Sequence, residues 1–78
     1  MKKVQIYSTK TCHFCYVAKD FFKAHGIAFE DFDVGVDIEK RTEMLNKSGQ
    51  MGVPVIDIDG EITVGFNRPR IAELLGVK

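Results

Sequence analysis

In "KVQIYS" the side chains alternate, with Val4 and Ile6 on one face and Gln5 and Tyr7 on the other. A few residues later the repeat changes: Phe14, Val17, Ala18, Phe21 and Phe22 recur at spacings of three and four. A period of two belongs to a strand and one near 3.6 to a helix. The chain must therefore pass from strand (residues 2–8) to helix (Cys12 to His25) within a few residues, with Gly26 as the helix stop. Its only two cysteines, Cys12 and Cys15, fall at that junction.

The alternation continues. "IAFEDFDV" reads as a second strand, and strand–helix–strand implies a right-handed parallel crossover. Asp37 can cap a helix running to about Lys47 and ended by Gly49; its apolar face is thin, with Ile38, Leu45 and less certainly Met44. "VPVIDI" is a third strand. Asp59-Gly60 signals a two-residue hairpin, and "EITV" returns antiparallel. Asn67 or Arg68 opens a last helix with Pro69 in its first turn and Ile71, Ala72, Leu74 and Leu75 on its buried face. The order β-α-β-α-β-β-α predicts an α/β fold: a four-stranded mixed sheet flanked by three helices, in a single domain spanning 1–78.

Seventy-eight residues suffice for one modest core. Eleven basic residues balance eleven acidic ones, so there is no electrostatic footprint for nucleic acid or an anionic membrane. Glu30, Asp31, Asp33, Asp37 and Glu39 gather mid-chain and read as a solvated edge. No stretch approaches the ~18 apolar residues of a membrane span, and no apolar run follows the basic start as in a secretory signal. The expected location is the cytoplasm, where a close cysteine pair serves catalysis or metal binding more often than structure.

The spacing of that pair narrows its use. Residues i and i+3 of a helix lie roughly 5 Å apart at Cα, inside the window of about 4.4–6.8 Å in which a disulfide closes. The pair can close and reopen without moving the backbone. At a helix start, unpartnered N–H groups and the helix dipole favour a thiolate at Cys12, and Lys10 and His13 can each bring a cation near it. Cys15, one turn further in, is expected to be more buried. That asymmetry makes Cys12 the attacking thiol and Cys15 the resolving one. Phe14 is either a core residue or part of a rim that packs on a partner. A closed zinc site needs four ligands, and His25 lies about three turns from His13. A c-type haem needs histidine directly after the second cysteine, where Tyr16 stands. No metal site is expected within the chain; an iron–sulfur cluster shared between two chains is the alternative.

"YSTKTCHFC" and "SGQMGVPVIDIDGEITVGF" together resemble the two signatures of the glutaredoxins, thiol–disulfide oxidoreductases of thioredoxin fold. The resemblance covers nearly the whole chain, and the small bacterial or archaeal glutaredoxin-like proteins, including carriers to ribonucleotide reductase, are the most similar subgroup. It implies reduction of protein or glutathione mixed disulfides by Cys12 and Cys15, with Lys10 supporting the thiolate. It also implies a cis Pro54, placing the Val53 backbone opposite the sulfurs to pair with substrate. Gln50 would meet the glycyl carboxylate of glutathione. No bound cofactor is implied, and the protein is expected to be a monomer acting on disulfide-containing proteins.

The chain departs from the family at the glutathione site. Phe14 stands where many glutathione-binding members carry Tyr. "VGFNRPRI" replaces a Gly-Gly-x-Asp-Asp stretch, so only Gly65 matches and Phe66 and Asn67 follow. The γ-glutamyl end of glutathione loses acidic partners. Glutathione is thus expected to be a weak reductant, with a thioredoxin-reductase-like flavoenzyme as the other candidate donor.

Overall fold

The computed structural model describes residues 2–77. Its elements are β1 (Val4–Ser8), α1 (His13–Ala24), β2 (Glu30–Asp33), α2 (Ile38–Ser48), β3 (Val55–Ile58), β4 (Glu61–Val64) and α3 (Arg68–Leu75). One four-stranded sheet runs in the order β2-β1-β3-β4, with β1–β2 parallel and the other two pairs antiparallel. The expected order, mixed sheet and three helices are all present.

Two apolar clusters flank the sheet. Val4, Ile6, Ile56 and Ile58 face Ala18, Phe21 and Phe22 of α1 and Ile71 of α3. On the other face Tyr7 and Val55 meet Met44 of α2. The central strands β1 and β3 are therefore covered on both sides, which explains why Tyr7, Ile6 and all of β3 are buried.

The second strand is shorter than "IAFEDFDV" suggested, and the cause is local. The Ile27 N–H donates to Phe22 O at 2.9 Å and the Gly26 N–H to Lys23 O at 3.1 Å, with Gly26 at φ 66°. This is a Schellman stop, in which the residue after the glycine packs back on the helix. Ile27 and Phe29 join the α1 cluster from that turn rather than from a ladder.

The second helix also corrects the expectation. Met44 is its buried residue, whereas Ile38 is 70% and Leu45 41% exposed. Polar contacts do much of the docking. Arg41 Nε donates to Val34 O at 2.9 Å. The Lys47 ammonium reaches Asp57 Oδ2 and the Tyr7 hydroxyl, each at 2.7 Å, and Gln5 Oε1 at 3.2 Å. The Tyr7 hydroxyl in turn donates to Glu43.

Candidate active site

The register of the sheet decides what meets the cysteines. β1 and β3 are antiparallel with Tyr7 opposite Val55, so continuing that register places Pro54 opposite Ser8 and Val53 opposite Thr9. The loop leading to Cys12 and the segment leading into β3 thus lie side by side at one end of the sheet. The Gly65 N–H donates to Pro54 O at 2.7 Å, which brings the end of β4 to the same place. Gly65 has φ 78° with open space around its Cα, so backbone conformation rather than crowding calls for glycine there. The Val53–Pro54 peptide bond is cis, as the resemblance implied. Among the described residues neither the N–H nor the C=O of Val53 has a backbone hydrogen-bond partner.

Cys12 is the N-cap of α1, and its sulfur accepts the Cys15 N–H at 3.2 Å. N-caps are usually oxygen-bearing side chains that bind an orphan amide; here sulfur does so, and a charged sulfur would accept more strongly than a neutral one. The preceding loop is held in two ways. The Cys12 N–H reaches Thr9 O at 3.4 Å, and the Tyr16 hydroxyl donates to Lys10 O at 2.5 Å.

The two thiols differ. Both are free, Cys12 half-buried and Cys15 fully buried. Burial pushes the Cys15 thiol up to about 12; its contact with Cys12 acts in the same direction, while a backbone hydrogen bond from Thr9 and the charge of Lys19 oppose it. One thiol is accessible at a helix start, and the other is held neutral one turn below it.

The remaining expected residues divide. His13 and Phe14 open α1, with Phe14 58% exposed and the two rings edge-to-face at 5.3 Å. Phe14 belongs to the rim, not the core. Lys10 is exposed, and its ammonium forms no ion pair among the described residues.

Lys19 falls outside the apolar stripe of Phe14, Val17, Ala18, Phe21 and Phe22 on α1. The structure turns it inward, with its side chain 16% exposed and 2.9 Å from Asp31. The signal for it was its position four residues after Cys15.

The comparisons agree with this geometry. The family model described as Glutaredoxin matches residues 4–63. The chain is 47% identical over 72 residues to a glutaredoxin-like 8.6 kDa protein in a rubredoxin operon of Clostridium pasteurianum, covering 92% of this chain and 96% of that one. This chain belongs to the glutaredoxin family. It is also 36% identical over 61 residues to glutaredoxin 3 of Escherichia coli K12, covering 78% of this chain and 74% of that one. Among solved structures, the thioredoxin-like protein BC3987 superposes with a TM-score of 0.87 at 32% identity, covering 92% and 99% of the two chains. The glutaredoxin from Archaeoglobus fulgidus gives 0.86 at 25% identity, covering 96% and 87%. The fold is the thioredoxin fold, and glutaredoxin membership implies thiol–disulfide oxidoreductase chemistry in general.

Against that glutaredoxin frame, three residues expected at a glutathione site are engaged within the chain. The Gln50 side chain donates to Gly52 O at 3.0 Å and Ser48 Oγ at 3.2 Å, and accepts the Gly52 N–H at 2.5 Å. Gln50 thereby shapes the loop before Val53. Phe66 packs edge-on against Phe21 with 5.8 Å between centroids, drawn in by the apolar cluster. Asn67 caps α3, its Oδ1 accepting the Arg70 N–H at 3.3 Å. Among the described residues no group of three or more His, Cys, Asp or Glu side chains is placed to hold a metal ion, and no helix is long and apolar enough to cross a membrane.

Proposed function

We propose that this glutaredoxin is a dithiol electron carrier that reduces disulfides in proteins through a reversible Cys12–Cys15 bond. Cys12 attacks a substrate disulfide, forms a mixed disulfide and releases one thiol. Cys15 then attacks Cys12 Sγ, closes the internal disulfide and releases the second thiol. Two electrons pass from the pair to the substrate, and another thiol system restores the dithiol.

The observation that carries this reading is the inequality of the two sulfurs. Cys12 is reachable and caps a helix, whereas Cys15 is buried with its thiol pushed up to about 12. A pair so arranged has one nucleophile at a time. The Val53 backbone offers an unpaired edge beside it, suited to an extended substrate strand. The exposed Phe14 ring supplies apolar contact at the rim.

The residues around the thiols bear on the choice of electron donor. Glutathione brings two carboxylates and an ammonium, and a charged group left unpaired on partial burial is costly. Gln50 and the Asn67 oxygen are already engaged, and Phe66 faces Phe21. Each missing charge-assisted bond costs roughly 1.5–3 kcal/mol, about ten- to a hundredfold in affinity. The reading is therefore weak use of glutathione and service by a thioredoxin-reductase-like flavoenzyme.

Side-by-side turnover of one disulfide substrate tests it, with glutathione plus its reductase in one arm and thioredoxin reductase in the other. Cys12→Ser should abolish reduction in both arms, and Cys15→Ser should stop at a mixed disulfide on Cys12. Saturable turnover with glutathione at low-millimolar concentration, and none with thioredoxin reductase, would replace this donor assignment with glutathione.

A further inference from the structure

A resolving thiol held neutral poses a problem. Cys15 must lose its proton before it can attack the mixed disulfide, because the thiolate is the nucleophile. Its immediate surroundings oppose that loss. The side chain is fully buried, and burial is the largest cause that holds the thiol neutral; the opposition from Cys12 belongs to the free dithiol and ends once Cys12 is bonded to the substrate sulfur.

One cation is placed to help. Lys19 follows Cys15 by four residues on α1, which puts the two side chains on one helix face with Cβ atoms about 6 Å apart. Its ammonium does not extend into solvent. It bends to Asp31 Oδ2 at 2.9 Å and lies 4.9 Å from the centre of the Tyr16 ring. The other Asp31 oxygen accepts the Ser8 hydroxyl at 2.6 Å, and Ser8, the last residue of β1, is itself buried. Burial alone would push the Lys19 ammonium down, but the hydrogen bond and charge of Asp31 outweigh it and hold Lys19 above the ordinary lysine value. It is charged throughout the neutral range.

We propose that Lys19 is the positioning residue of the resolving half-reaction: anchored by Asp31, its ammonium supplies the positive charge that lets the Cys15 thiol ionise. This rests on the assignment of Cys15 as the resolving thiol. The groups that bear on Cys15 are Cys12 and Lys19 from the helix, the Thr9 backbone from the preceding loop and, through Lys19, Tyr16 and Asp31. Val53 and Pro54, which continue the sheet register opposite Thr9 and Ser8, carry no ionisable side chain.

In the step itself the Cys15 proton passes to solvent and the Cys15 sulfur bonds to Cys12 Sγ. The bond from Cys12 to the substrate sulfur breaks, and that sulfur leaves as a thiolate and takes up a proton. The charge arrangement also fixes a sign. Lys19 favours the Cys15 thiolate, and Asp31 partly cancels Lys19. Removing one should therefore act opposite to removing the other. A purely structural ion pair would lose in the same direction from either side.

The test uses the reduced full chain and 5,5′-dithiobis(2-nitrobenzoate) in a stopped-flow experiment. The first release of coloured thiolate reports attack by Cys12, and the second reports resolution. Cys15→Ser should keep the first phase and lose the second; a second phase that survives in this variant overturns the role of Cys15 itself. With that control in place, Lys19→Met should slow the second phase about three- to tenfold near pH 7 and move its pH profile upward. The size combines a smaller thiolate fraction with the greater nucleophilicity of a more basic thiolate. The first phase should change less than about twofold, and Lys19→Arg, which keeps the charge, should restore most of the second. Asp31→Asn keeps an amide oxygen to hold the Lys19 ammonium while removing the opposing charge, so it should accelerate the second phase and move its profile downward, and the proposal stays testable even where Lys19→Met folds poorly. Slowing by both Lys19→Met and Asp31→Asn, or an unmoved pH profile in Lys19→Met, overturns the proposal.

Discussion

The difference between the two sulfurs can be measured directly by alkylation. At pH 7 a thiol at about 12 is ionised in roughly one molecule in a hundred thousand, against about 3% for an ordinary cysteine near 8.5. Ionisation alone slows its reaction about 3,000-fold. A more basic thiolate is a better nucleophile, however, with a Brønsted coefficient near 0.45 in exchange reactions, which returns about 40-fold over that gap. The net expectation is that Cys15 reacts about 80-fold more slowly than an exposed cysteine of ordinary acidity. Complete burial slows it further, since the reagent must wait for the helix start to open.

The assay is limiting iodoacetamide at pH 7 on reduced protein, quenched with acid. Lys10 and Lys19 flank the pair, so tryptic cleavage leaves both cysteines in the single peptide 11–19. Fragment ions that separate Cys12 from Cys15 across His13 and Phe14 assign the label. In guanidinium chloride the two sites should label equally. In the folded protein Cys12 should take nearly all the label, and labelling of Cys15 should rise about tenfold per pH unit while its thiol remains mostly neutral. Comparable labelling of the two in the folded protein, or preference for Cys15, would refute both the burial argument and the order of attack.

Four further outcomes follow from the same contacts. Cys15 is more acidic unfolded than folded, so its neutral form contributes stability that is whole below about pH 8.5 and is lost as pH climbs toward about 12; Cys15→Ala should flatten the alkaline side of a plot of melting temperature against pH. Lys47→Met leaves Asp57, 11% exposed, without its 2.7 Å partner, at about 2 kcal/mol or roughly 8–16 °C in Tm by calorimetry. Phe22→Ala opens a hole beside Phe29 and Phe21 in the main cluster and should cost ~3–5 kcal/mol in a urea titration, close to the whole stability of a small domain. Asn67→Ala removes the cap of α3 and should cost about 1 kcal/mol while leaving the glutathione concentration for half-maximal turnover unchanged.

The fold was legible because its elements announce themselves by period. Val4 and Ile6, then Phe14 to Phe22, mark a strand running into a helix, and Asp59-Gly60 closes the only tight hairpin among the described residues. The thiol pair was legible because a spacing of three at a helix start brings both sulfurs to one face within disulfide reach. The misreadings share a cause. Apolar character alone does not say what buries a side chain: Ile27 and Phe29 lie in a strand-like run but are recruited by a helix stop, and of the thin apolar face Ile38, Leu45 and Met44 only Met44 is buried. Polar docking has no period to detect. Lys47 on α2 finds Tyr7 and Asp57, and Lys19 on α1 finds Asp31, across 40, 10 and 12 positions of sequence.

The same logic separates what the family frame transmits from what it leaves open. The thiol chemistry needs only a helix start, a spacing of three and a backbone edge; the Cys12 cap gives the first, the sequence the second, and the β1–β3 register the third. Recognition of a reductant needs particular side chains left unengaged. In this chain the Gln50 amide is bonded to Ser48 and Gly52, the Asn67 oxygen caps α3, and the Phe66 ring meets Phe21. Using the Gln50 amide or the Asn67 oxygen for glutathione would first break a bond that orders the loop or helix beside the site. Those groups stabilise the frame that presents the half-buried Cys12, so the strength of the frame is set against the breadth of its ligands, which is the ground on which we propose a donor that reads the Cys12 sulfur and the Val53 edge.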